Sequence, residues 1–513
     1  MHAWVNEELR TAAMGDKRLD NRFAALLGQL SDQPTQSIPV ACGERKEAVA
    51  GYRFFDNEKV DEAKVLQPHI NATRERCRAH PVVLAIQDTT EVDLTRKQEK
   101  VGGPLNKDTR WGLYVHPVLA VTPERVPLGV LDAEIWNRDP VEFAQSAAEK
   151  KKQRRLKPIE EKESYRWLEG YRVADKLAKD CPQTRVINVA DSEADIYDIY
   201  AEASAADQPP AKVLPAKPAT GAKAAKKSAV VPPPAKMLPA AVNPVAEPRA
   251  DFIVRSCHED RQLQESEKNL RQILMCMKPI GRMTIEVSKR DTSPDSPKRQ
   301  QPRSAREAEV TIRATRTLLK PPHRRGTEAL PPVWVNAILV LEETPPAGEE
   351  PIEWLLVTSL PIATADEVHA AIAYYCVRWQ IEIYFRVLKS GCQIEKLQLE
   401  KTERVLPCLT MYMIVAWRIM HVTMLSRTCP EMPCDEVLEE AEWKAVYLVV
   451  MKKPAPATPP TLEELVELIA QLGGYQGRKQ DGPPGPKAMW IGMQRMRDFA
   501  TAYECFGPGR TPP

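Results

Sequence analysis

The strand-forming part of the chain begins with Val82-Val83-Leu84-Ala85-Ile86-Gln87-Asp88, a short apolar run that ends in an acid. Arg185-Val186-Ile187-Asn188-Val189-Ala190-Asp191 repeats this pattern about a hundred residues later. Short apolar runs of this kind are typical of buried strands, and an acid that follows one emerges at the edge of the sheet. An aspartate in this place is also a common turn former or helix cap. The pattern predicts two buried strands and leaves the role of Asp88 and Asp191 open.

A long helix is predicted over residues 364 to 390, because Thr364 and Glu367 form a capping box and neither Pro nor Gly follows until Gly391. Helical spacing puts five polar side chains on one face, within roughly a quarter-turn of the helix. They are Tyr375, Arg378, Glu382, Arg386 and Lys389. Such a face can bind a metal ion through its carboxylate while its cations bind phosphates. A ladder of intrahelical ion pairs, each worth about 0.2–0.5 kcal/mol, is the alternative interpretation.

Three acids, Asp88, Asp191 and Glu382, are the candidate catalytic and metal-binding residues. If they meet at one sheet edge, they repel one another unless a dication lies between them. Two Mg²⁺ ions about 3.5–4 Å apart are the usual arrangement for phosphodiester chemistry. The three acids therefore indicate a metal-dependent reaction on a phosphodiester.

The remaining sequence divides the chain into helical ends around a strand-rich middle. Residues 1 to 75 are predicted to be helical, with an apolar stripe at helical spacing. Residues 205 to 250 contain ten prolines among many Ala and Lys, a composition expected of a solvated spacer. Further strands are predicted near 251 to 255, 283 to 287, 310 to 316, 333 to 341 and 354 to 358, which indicates a mostly β insertion at residues 200 to 350. More helices are predicted at 402 to 427 and 461 to 472.

Bulk composition restricts the partners and the compartment. The 513 residues include 72 Lys and Arg against 70 Asp and Glu, so a nucleic-acid partner would need a localised basic groove rather than a basic protein. Eleven scattered cysteines favour reduced thiols and a cytoplasmic location. The amino terminus lacks the pattern of a signal peptide. The apolar stretch from Leu409 to Leu425 contains Arg418 and His421, which predicts a buried helix and no membrane association.

Three blocks of the sequence resemble the catalytic blocks of bacterial insertion-sequence DDE transposases. They are Leu84-Ala85-Ile86-Gln87-Asp88-Thr89-Thr90, then Asp191-Ser192-Glu193-Ala194-Asp195, then Tyr375, Arg378, Glu382 and Lys389 at the spacing of a Tyr-Arg-Glu-Lys signature. That signature marks the cut-and-paste subgroup that excises DNA through a hairpin. Arg386 stands where close relatives carry a lysine, which keeps the charge but alters its geometry.

Other segments extend the resemblance over nearly the whole chain. Gly15 to Leu19 and the Tyr52-Arg53-Phe54 cluster resemble the family's amino-terminal domain, which binds transposon ends. Glu353 to Ser359 resembles a segment whose tryptophan, here Trp354, assists a flipped base. Leu472 to Tyr475, followed by Trp490, is similar to the region that pairs subunits. For Trp354 a place in the core, and for Tyr52 and Arg53 a helix-capping cluster, remain alternatives.

The resemblance implies an α/β fold with a ribonuclease-H-like, mixed-sheet catalytic core at residues 76 to 400, interrupted by the β-rich insertion. A helical DNA-binding domain is expected at 1 to 75 and a helical dimerisation region at 401 to 513. It also implies two Mg²⁺ ions, replaceable by Mn²⁺, and DNA partners that include terminal inverted repeats and target DNA. A homodimer is expected on paired ends. Predicted DNA contacts are Tyr375, Arg378, Arg386, Lys389, Trp354, Arg255, Tyr52 and Arg53. The alternatives are a nuclease that does not rejoin DNA, and a DNA-binding relic or regulator without catalysis.

Overall fold

The computed structural model describes residues 2–96, 100–106, 109–146, 148–149, 157–204, 247–287, 303–323, 330–478 and 480–507. Most of the predicted proline-rich spacer, residues 205–246, lies outside these ranges. So do residues 150–156 and most of the predicted basic loop, residues 288–302.

The amino-terminal region is helical, as predicted. The apolar stripe of its second helix is buried: Phe23, Leu26, Leu27 and Leu30 are fully enclosed. Asp16 caps that helix by accepting a hydrogen bond from the Arg18 backbone N–H. The five helices are α1 (Ala3–Glu8), α2 (Lys17–Asp32), α3 (Ile38–Cys42), α4 (Arg45–Phe55) and α5 (Glu62–Arg78).

One mixed sheet of 11 strands forms the centre of the molecule. Its strands are β1 (Val82–Gln87), β2 (Thr90–Asp93), β3 (Gly103–Pro104), β4 (Trp111–Val121), β5 (Pro127–Trp136), β6 (Arg185–Ala190), β7 (Asp251–Arg255), β8 (Gly281–Val287), β9 (Arg306–Leu319), β10 (Val333–Leu341) and β11 (Glu353–Thr358). Their order is β2-β4-β1-β6-β7-β11-β10-β9-β8, with β3 and β5 also paired to β4. Strands β1, β6 and β7 are parallel neighbours, so their carboxyl ends share one edge.

Helices cover both faces of the sheet. The described helices after β5 are α6 (Pro140–Ala144), α7 (Tyr165–Asp180), α8 (Tyr197–Ala203), α9 (Leu270–Cys276), α10 (Ala365–Val377), α11 (Gln380–Arg386), α12 (Thr402–Thr428), α13 (Glu440–Met451), α14 (Leu462–Leu472) and α15 (Pro486–Phe506). Side chains of α7, α8 and α9 pack against one face, while the amino-terminal helices and α10 to α12 pack against the other. Both faces are therefore buried, which explains the continuous apolar runs of β1 and β6.

The strands predicted within residues 200 to 350 belong to the same sheet as the first two. Strand β7 pairs in parallel with β6, and β11 pairs antiparallel with β7. Strands β10, β9 and β8 then extend the sheet outward in antiparallel hairpin order. Residues 251–255 therefore form a central strand that lies beside the strand preceding Asp191.

The predicted continuous helix from 364 to 390 is wrong in one respect, because it breaks after Val377. Backbone bonds span three residues at the break: Arg378 N–H donates to the Tyr375 carbonyl at 3.0 Å, and Ile381 N–H to the Arg378 carbonyl at 3.1 Å. The chain tightens there and resumes as α11, which ends in a π-helical turn, Val387–Gly391. The predicted capping box of Thr364 and Glu367 is confirmed.

The carboxyl-terminal helices pack around α12, which has 27 residues. By length and composition this helix could cross a membrane, but 89% of its most apolar window is buried inside the protein. The prediction of a buried helix is confirmed. Helix α15 also contacts the amino-terminal region, where Gln33 Nε2 donates to Asp498 Oδ1 at 2.6 Å and Thr35 Oγ1 donates to Gln494 Oε1 at 2.6 Å.

Candidate active site

Asp88 follows β1 directly and lies at the carboxyl edge of the sheet. Its Oδ1 accepts a hydrogen bond from the Thr89 backbone N–H at 2.8 Å. The side chain is 20% exposed. Burial and the nearby charge of Asp191 raise the pKa of Asp88 to about 7, although Arg378 acts in the opposite direction. The carboxyl group is therefore in a place where a negative charge is poorly tolerated without further cations.

Asp191 lies beside Asp88 because the strands that deliver them are in register. Ile86 is the partner of Val189, and each aspartate follows two residues later. The Oδ1 atom of Asp191 accepts from the Glu193 backbone N–H at 2.8 Å and caps a short 3₁₀ turn, Ser192–Ala194. One oxygen thus fixes the turn, as a helix-capping aspartate does.

Glu382 reaches the same edge from the first turn of α11. Its side chain is half exposed, and Arg378 Nη2 lies 3.5 Å from its Oε1. Burial raises the pKa of Glu382, Arg378 lowers it, and the charge of Asp191 raises it again. Asp88 and Asp191 follow neighbouring strands in register, and Arg378 contacts both Asp88 and Glu382, so the structure brings the three predicted acids to one edge of the sheet.

Arg378 lies among these acids and is nearly buried, with 4% of its side chain exposed. Its Nη1 donates to Asp88 Oδ2 at 2.8 Å. Its Nε is buried and has no hydrogen-bond partner among the residues that the structure describes. The guanidinium lies 4.8 Å from the ring centroid of Trp379. In this conformation Arg378 neutralises part of the acidic cluster.

Three more predicted residues lie on the side of the site that faces β7 and β11. Tyr375 is 1% exposed, and its ring packs edge-on against Trp354 with 5.4 Å between the ring centroids. Burial raises the pKa of Tyr375, while Arg255 and Arg378 lower it. Arg255 Nη2 lies 3.3 Å from Ser192 Oγ, in the turn that Asp191 caps. Trp354 is partly buried and packs against the core.

Of the two remaining basic residues, Arg386 follows Glu382 by one turn in α11, whereas Lys389 comes after the end of that helix. Lys389 lies in the π-helical turn, with its Nζ 3.8 Å from Glu395 Oε1. Burial lowers the pKa of Lys389, although Glu395 raises it. Arg386 lowers the pKa of Glu382 and also lines a cleft of about 840 Å³ together with Lys487, Trp490 and Arg495. The π turn shifts Lys389 from the angular position that regular helical spacing predicts, whereas Arg386 precedes that turn.

Tyr52 and Arg53 lie on α4, in the amino-terminal region. Tyr52 is partly buried against the core, whereas Arg53 is exposed in the last turn of the helix. Phe54 is enclosed and stacks on Phe23 with 6.1 Å between the ring centroids. The aromatic part of this cluster therefore stabilises the helix packing, and Arg53 is its solvent-facing member.

Asp195 is a buried acid whose surroundings the sequence did not reveal. Its Oδ2 accepts from Ser256 Oγ at 2.6 Å and from the backbone N–H groups of Cys257 and His258 at 2.9 and 3.1 Å. Arg261 and Tyr200 donate to Oδ1. The segment that begins with Asp191 is thereby tied to the loop after Arg255. Only a carboxylate four residues downstream of Asp191 hinted at this in the sequence.

Metal-binding potential differs between the two acidic clusters. Within the described part of the chain, Asp195, Cys257 and His258 alone bring three potential ligand atoms within 4.8 Å of one another. The oxygens of Asp195, however, already accept several hydrogen bonds. The wider cluster of Asp88, Asp191 and Glu382 has three carboxylates, two of them with raised pKa values. A set of hard oxygen donors with unbalanced negative charge fits divalent cations.

Comparison with known protein families gives three matches. A model described as "Transposase DNA-binding" matches residues 1–60, one described as "Transposase DDE domain" matches 239–417, and one described as "Transposase Tn5 dimerisation domain" matches 414–505. The chain has the domain set of a Tn5-type transposase.

These transposase domains indicate a role in DNA transposition, and they support DNA binding and homodimer formation. Domains of the DDE class generally use divalent metal ions. The DDE match contains Glu382 and the strands β7 to β11 but begins after Asp88 and Asp191. The proximity of all three acids is therefore an observation from the fold and not from the family match.

Proposed function

We propose that the chain catalyses cut-and-paste DNA transposition by metal-dependent phosphodiester hydrolysis and strand transfer, through a DNA hairpin. The observation that carries the proposal is the convergence of Asp88, Asp191 and Glu382 at the carboxyl edge of β1 and β6. The raised pKa of Asp88, about 7, supports a site that is incomplete without cations. The match to a transposase DDE domain supports the same reaction class.

Asp88, Asp191 and Glu382 would hold two Mg²⁺ ions, with Mn²⁺ as a substitute. When bound, such ions lower the pKa of an attacking water or 3′-hydroxyl and stabilise the leaving oxygen. No covalent protein–DNA intermediate is needed, since nicking, hairpin formation, hairpin opening and joining differ only in the nucleophile.

Residues around the three acids would orient the DNA strand. Arg378 is already held by Asp88 and Glu382, and a bound phosphate would compete for its guanidinium. Arg255 lies beside the turn capped by Asp191, where a phosphate of the same strand would pass. Trp354 would stack on an extruded base, a contact worth about 1–3 kcal/mol. Tyr375 and Lys389 complete the signature and would bind neighbouring phosphates of the cleaved strand.

The two ends of the chain would recognise and pair the transposon ends. Exposed Arg53, with Tyr52 behind it, is a candidate contact with terminal inverted repeats. The cleft lined by Arg386, Lys487 and Arg495 is a second candidate, because it brings three cations together in a chain whose net charge is only +2. Assembly of the homodimer on paired ends would place two such sites on one complex.

The decisive experiment uses linear DNA that carries the inverted repeats flanking the coding region. Purified protein and Mg²⁺ are added, and the products are separated on a denaturing gel. Wild type is compared with Glu382→Gln, and with Asp366→Asn as a matched control for loss of an exposed acid on the preceding helix. Hairpin-ended fragments made by wild type and the control, and absent with Glu382→Gln, are expected.

Other products would point to the alternatives. Cleaved DNA without hairpins or joined products would favour a nuclease of the same fold. Binding without cleavage by wild type would contradict the catalytic proposal and favour a DNA-binding relic or regulator of transposition.

A further inference from the structure

A continuous chain of hydrogen bonds runs through the sheet directly beneath Asp88. Gln87 Nε2 donates to Asn188 Oδ1 at 2.7 Å, and Gln87 Oε1 lies 2.9 Å from His116 Nε2. His116 Nδ1 lies 2.9 Å from Thr89 Oγ1. Gln87, His116 and Asn188 are each at most 2% exposed. The chain crosses from β6 through β1 to β4 and ends at the residue after Asp88.

In this chain each group donates a hydrogen bond to the next in one direction only, from Thr89 toward Asn188. Since the Gln87 amide nitrogen donates to Asn188, its oxygen must accept, and His116 Nε2 carries the proton. His116 Nδ1 is then an acceptor, so the hydroxyl of Thr89 donates to it. Burial lowers the pKa of His116 to about 3, which agrees with a neutral ring. The oxygen of Thr89 keeps its lone pairs for one further donor.

That further donor is Arg166, whose Nε lies 3.3 Å from Thr89 Oγ1. The Arg166 guanidinium stacks 4.4 Å over the ring of Trp136, and the side chain is nearly buried. Its Nη1 donates to the Glu163 carbonyl. Thr89 is thus held on both sides of its hydroxyl, and its backbone N–H donates to Asp88 Oδ1 at 2.8 Å.

A chain of buried polar side chains stabilises a sheet interior less than apolar side chains would. Buried polar groups cost free energy unless all are satisfied, and Asn188 Nδ2 has no partner within the described residues. Gln87 has little room to move, because a Cβ placed on Gly170 would lie 2.2 Å from its Oε1. An apolar side chain would serve packing better at these positions. The polar chain instead lies where the two aspartates emerge, since Gln87 precedes Asp88 and Asn188 is three residues before Asp191.

We propose that Asn188, Gln87, His116 and Thr89, fixed at the outer end by Arg166, form a one-directional hydrogen-bond chain that positions Asp88 for metal binding. They are positioning residues. Thr89 connects the chain to the carboxylate, because its backbone N–H donates to Asp88 Oδ1. The inference rests on the proposed metal site and adds the residues that orient one of its ligands. Outer partners of ligating carboxylates typically change metal affinity by about 10–100-fold.

The test replaces the hydroxyl of Thr89 and measures metal binding without any reaction. Free Mn²⁺ is counted by electron paramagnetic resonance in a titration of the full-length protein in the absence of DNA. Thr89→Val keeps the shape of the side chain and removes the hydroxyl, and a Kd for Mn²⁺ raised about tenfold or more is expected. Thr89→Ser keeps the hydroxyl and is expected to bind Mn²⁺ nearly as wild type does.

A matched control removes a similar hydroxyl at the opposite end of the sheet. Thr184 is buried just before β6, and its Oγ1 donates to the Cys77 carbonyl at 3.3 Å. Thr184→Val is expected to lower thermal stability while leaving the Kd for Mn²⁺ unchanged. This control separates the effect of losing any buried hydrogen bond from the effect of losing the Thr89 hydroxyl that helps to position Asp88.

The outcomes distinguish failure of the positioning role of Thr89 from failure of the proposed metal site. A Kd for Mn²⁺ in Thr89→Val equal to that of wild type and Thr184→Val would overturn the positioning role and leave the proposed function untouched. Failure of wild type to bind Mn²⁺ at all would overturn the proposed metal site and this inference together. Weakened binding in Thr89→Val, restored in Thr89→Ser, supports the hydrogen-bond chain.

Discussion

Arg378 donates from Nη1 to Asp88 Oδ2 at 2.8 Å, while its Nη2 lies 3.5 Å from Glu382 Oε1. One guanidinium therefore links the first and the third acid of the candidate site, which are almost three hundred residues apart in sequence. Helix α10 ends at this arginine, so the break that the sequence did not predict is also the point where the helix reaches the sheet edge. The planar fork of an arginine suits such a bridge, and the single ammonium of a lysine does not.

The first prediction concerns Arg378→Lys. The substitution keeps one positive charge but cannot span two carboxylates, so the orientation of Asp88 and Glu382 should be lost. A fall in the rate of hairpin formation of roughly 10²–10³-fold is expected, comparable to loss of a preorganised donor. Rates are measured in single turnover on transposon ends that carry a nick, whose free 3′-hydroxyl can attack the intact opposite strand. The control is Arg185→Lys, an arginine whose Nε donates to Asp251 Oδ2 at 2.7 Å at the amino end of β6, opposite the candidate site, and an equal loss in both variants would contradict the bridging role.

The second prediction concerns the metal-free protein. Because the pKa of Asp88 is raised in the folded state to about 7, the folded state holds its proton more tightly than the unfolded state does. The contribution of Asp88 to stability is therefore present below its unfolded pKa, near 4, and is lost as the pH rises toward 7. Above pH 7, Asp88→Asn should melt at a higher temperature than wild type in the presence of a chelator.

Addition of Mg²⁺ at the same pH should reverse that order. A ligand at a hundred times its Kd stabilises the folded state by about 2.7 kcal/mol, and Asp88→Asn should lose most of this gain. Melting temperatures with and without Mg²⁺, in wild type and variant, provide the comparison. If chelator and Mg²⁺ give the same melting temperature for wild type, the proposed metal site is wrong.

The sequence predicted the elements that carry the candidate site better than their arrangement. Apolar runs before Asp88 and Asp191 predicted β1 and β6 because both faces of these strands are covered by helices. The capping box at Thr364 predicted the start of α10, since a helix start depends on local hydrogen bonds. Local patterns of this kind are visible in a single sequence.

Other features depended on tertiary contacts and could not be predicted in this way. Helical spacing put Lys389 on the face of Glu382, but the chain widens in the π turn that begins at Val387, between the two residues. The attraction of Arg378 to a distant aspartate has no signature in the local sequence. Likewise, the pairing of β7 with β6 shows only in the fold, because the proline-rich segment before β7 suggested the start of an insertion.

The third prediction concerns Glu8, a buried acid that joins α1 to α5. Arg76 donates to both of its oxygens, at 3.0 and 2.9 Å, and His69 Nδ1 donates to Oε1. His69 is neutral in this arrangement, since its Nε2 accepts from the Val130 backbone N–H at 2.9 Å. Although burial acts in the opposite direction, His69 and Arg76 lower the pKa of Glu8 to about 2.

A lowered folded pKa stabilises the protein fully where the acid is ionised in both states, and progressively less as the unfolded state becomes protonated. The stability from Glu8 is fully present above its unfolded value of about 4.5 and is lost as the pH falls toward 2. Glu8→Gln should cost about 3–5 kcal/mol at pH 7, since it leaves Arg76 without its counter-charge, and much less near pH 3. Urea unfolding at the two pH values measures this. Glu7→Gln, at the exposed neighbouring position, should show no such pH-dependent loss, and a parallel loss would refute the assignment.

The fourth prediction concerns Asp195, which ties the turn capped by Asp191 to the loop after Arg255. Arg261, with Nε 3.2 Å from Asp195 Oδ1, and Ser256 help to lower the pKa of Asp195 against the effect of burial. Asp195→Ala leaves a buried guanidinium without a counter-charge, so a loss of about 3–5 kcal/mol in the free energy of unfolding is expected. Asp260→Ala, in the same loop but exposed, should change it by less than about 0.5 kcal/mol.

Amide hydrogen exchange distinguishes local loosening from general destabilisation in the same variants. The backbone N–H groups of Cys257 and His258 donate to Asp195, so their protection should fall in Asp195→Ala by more than that of Val189, within β6. Looser attachment of this loop should also move Arg255 away from Ser192 and slow cleavage beyond what stability explains. Equal loss of protection at all three amides would show that Asp195 contributes to global stability alone and does not hold the loop.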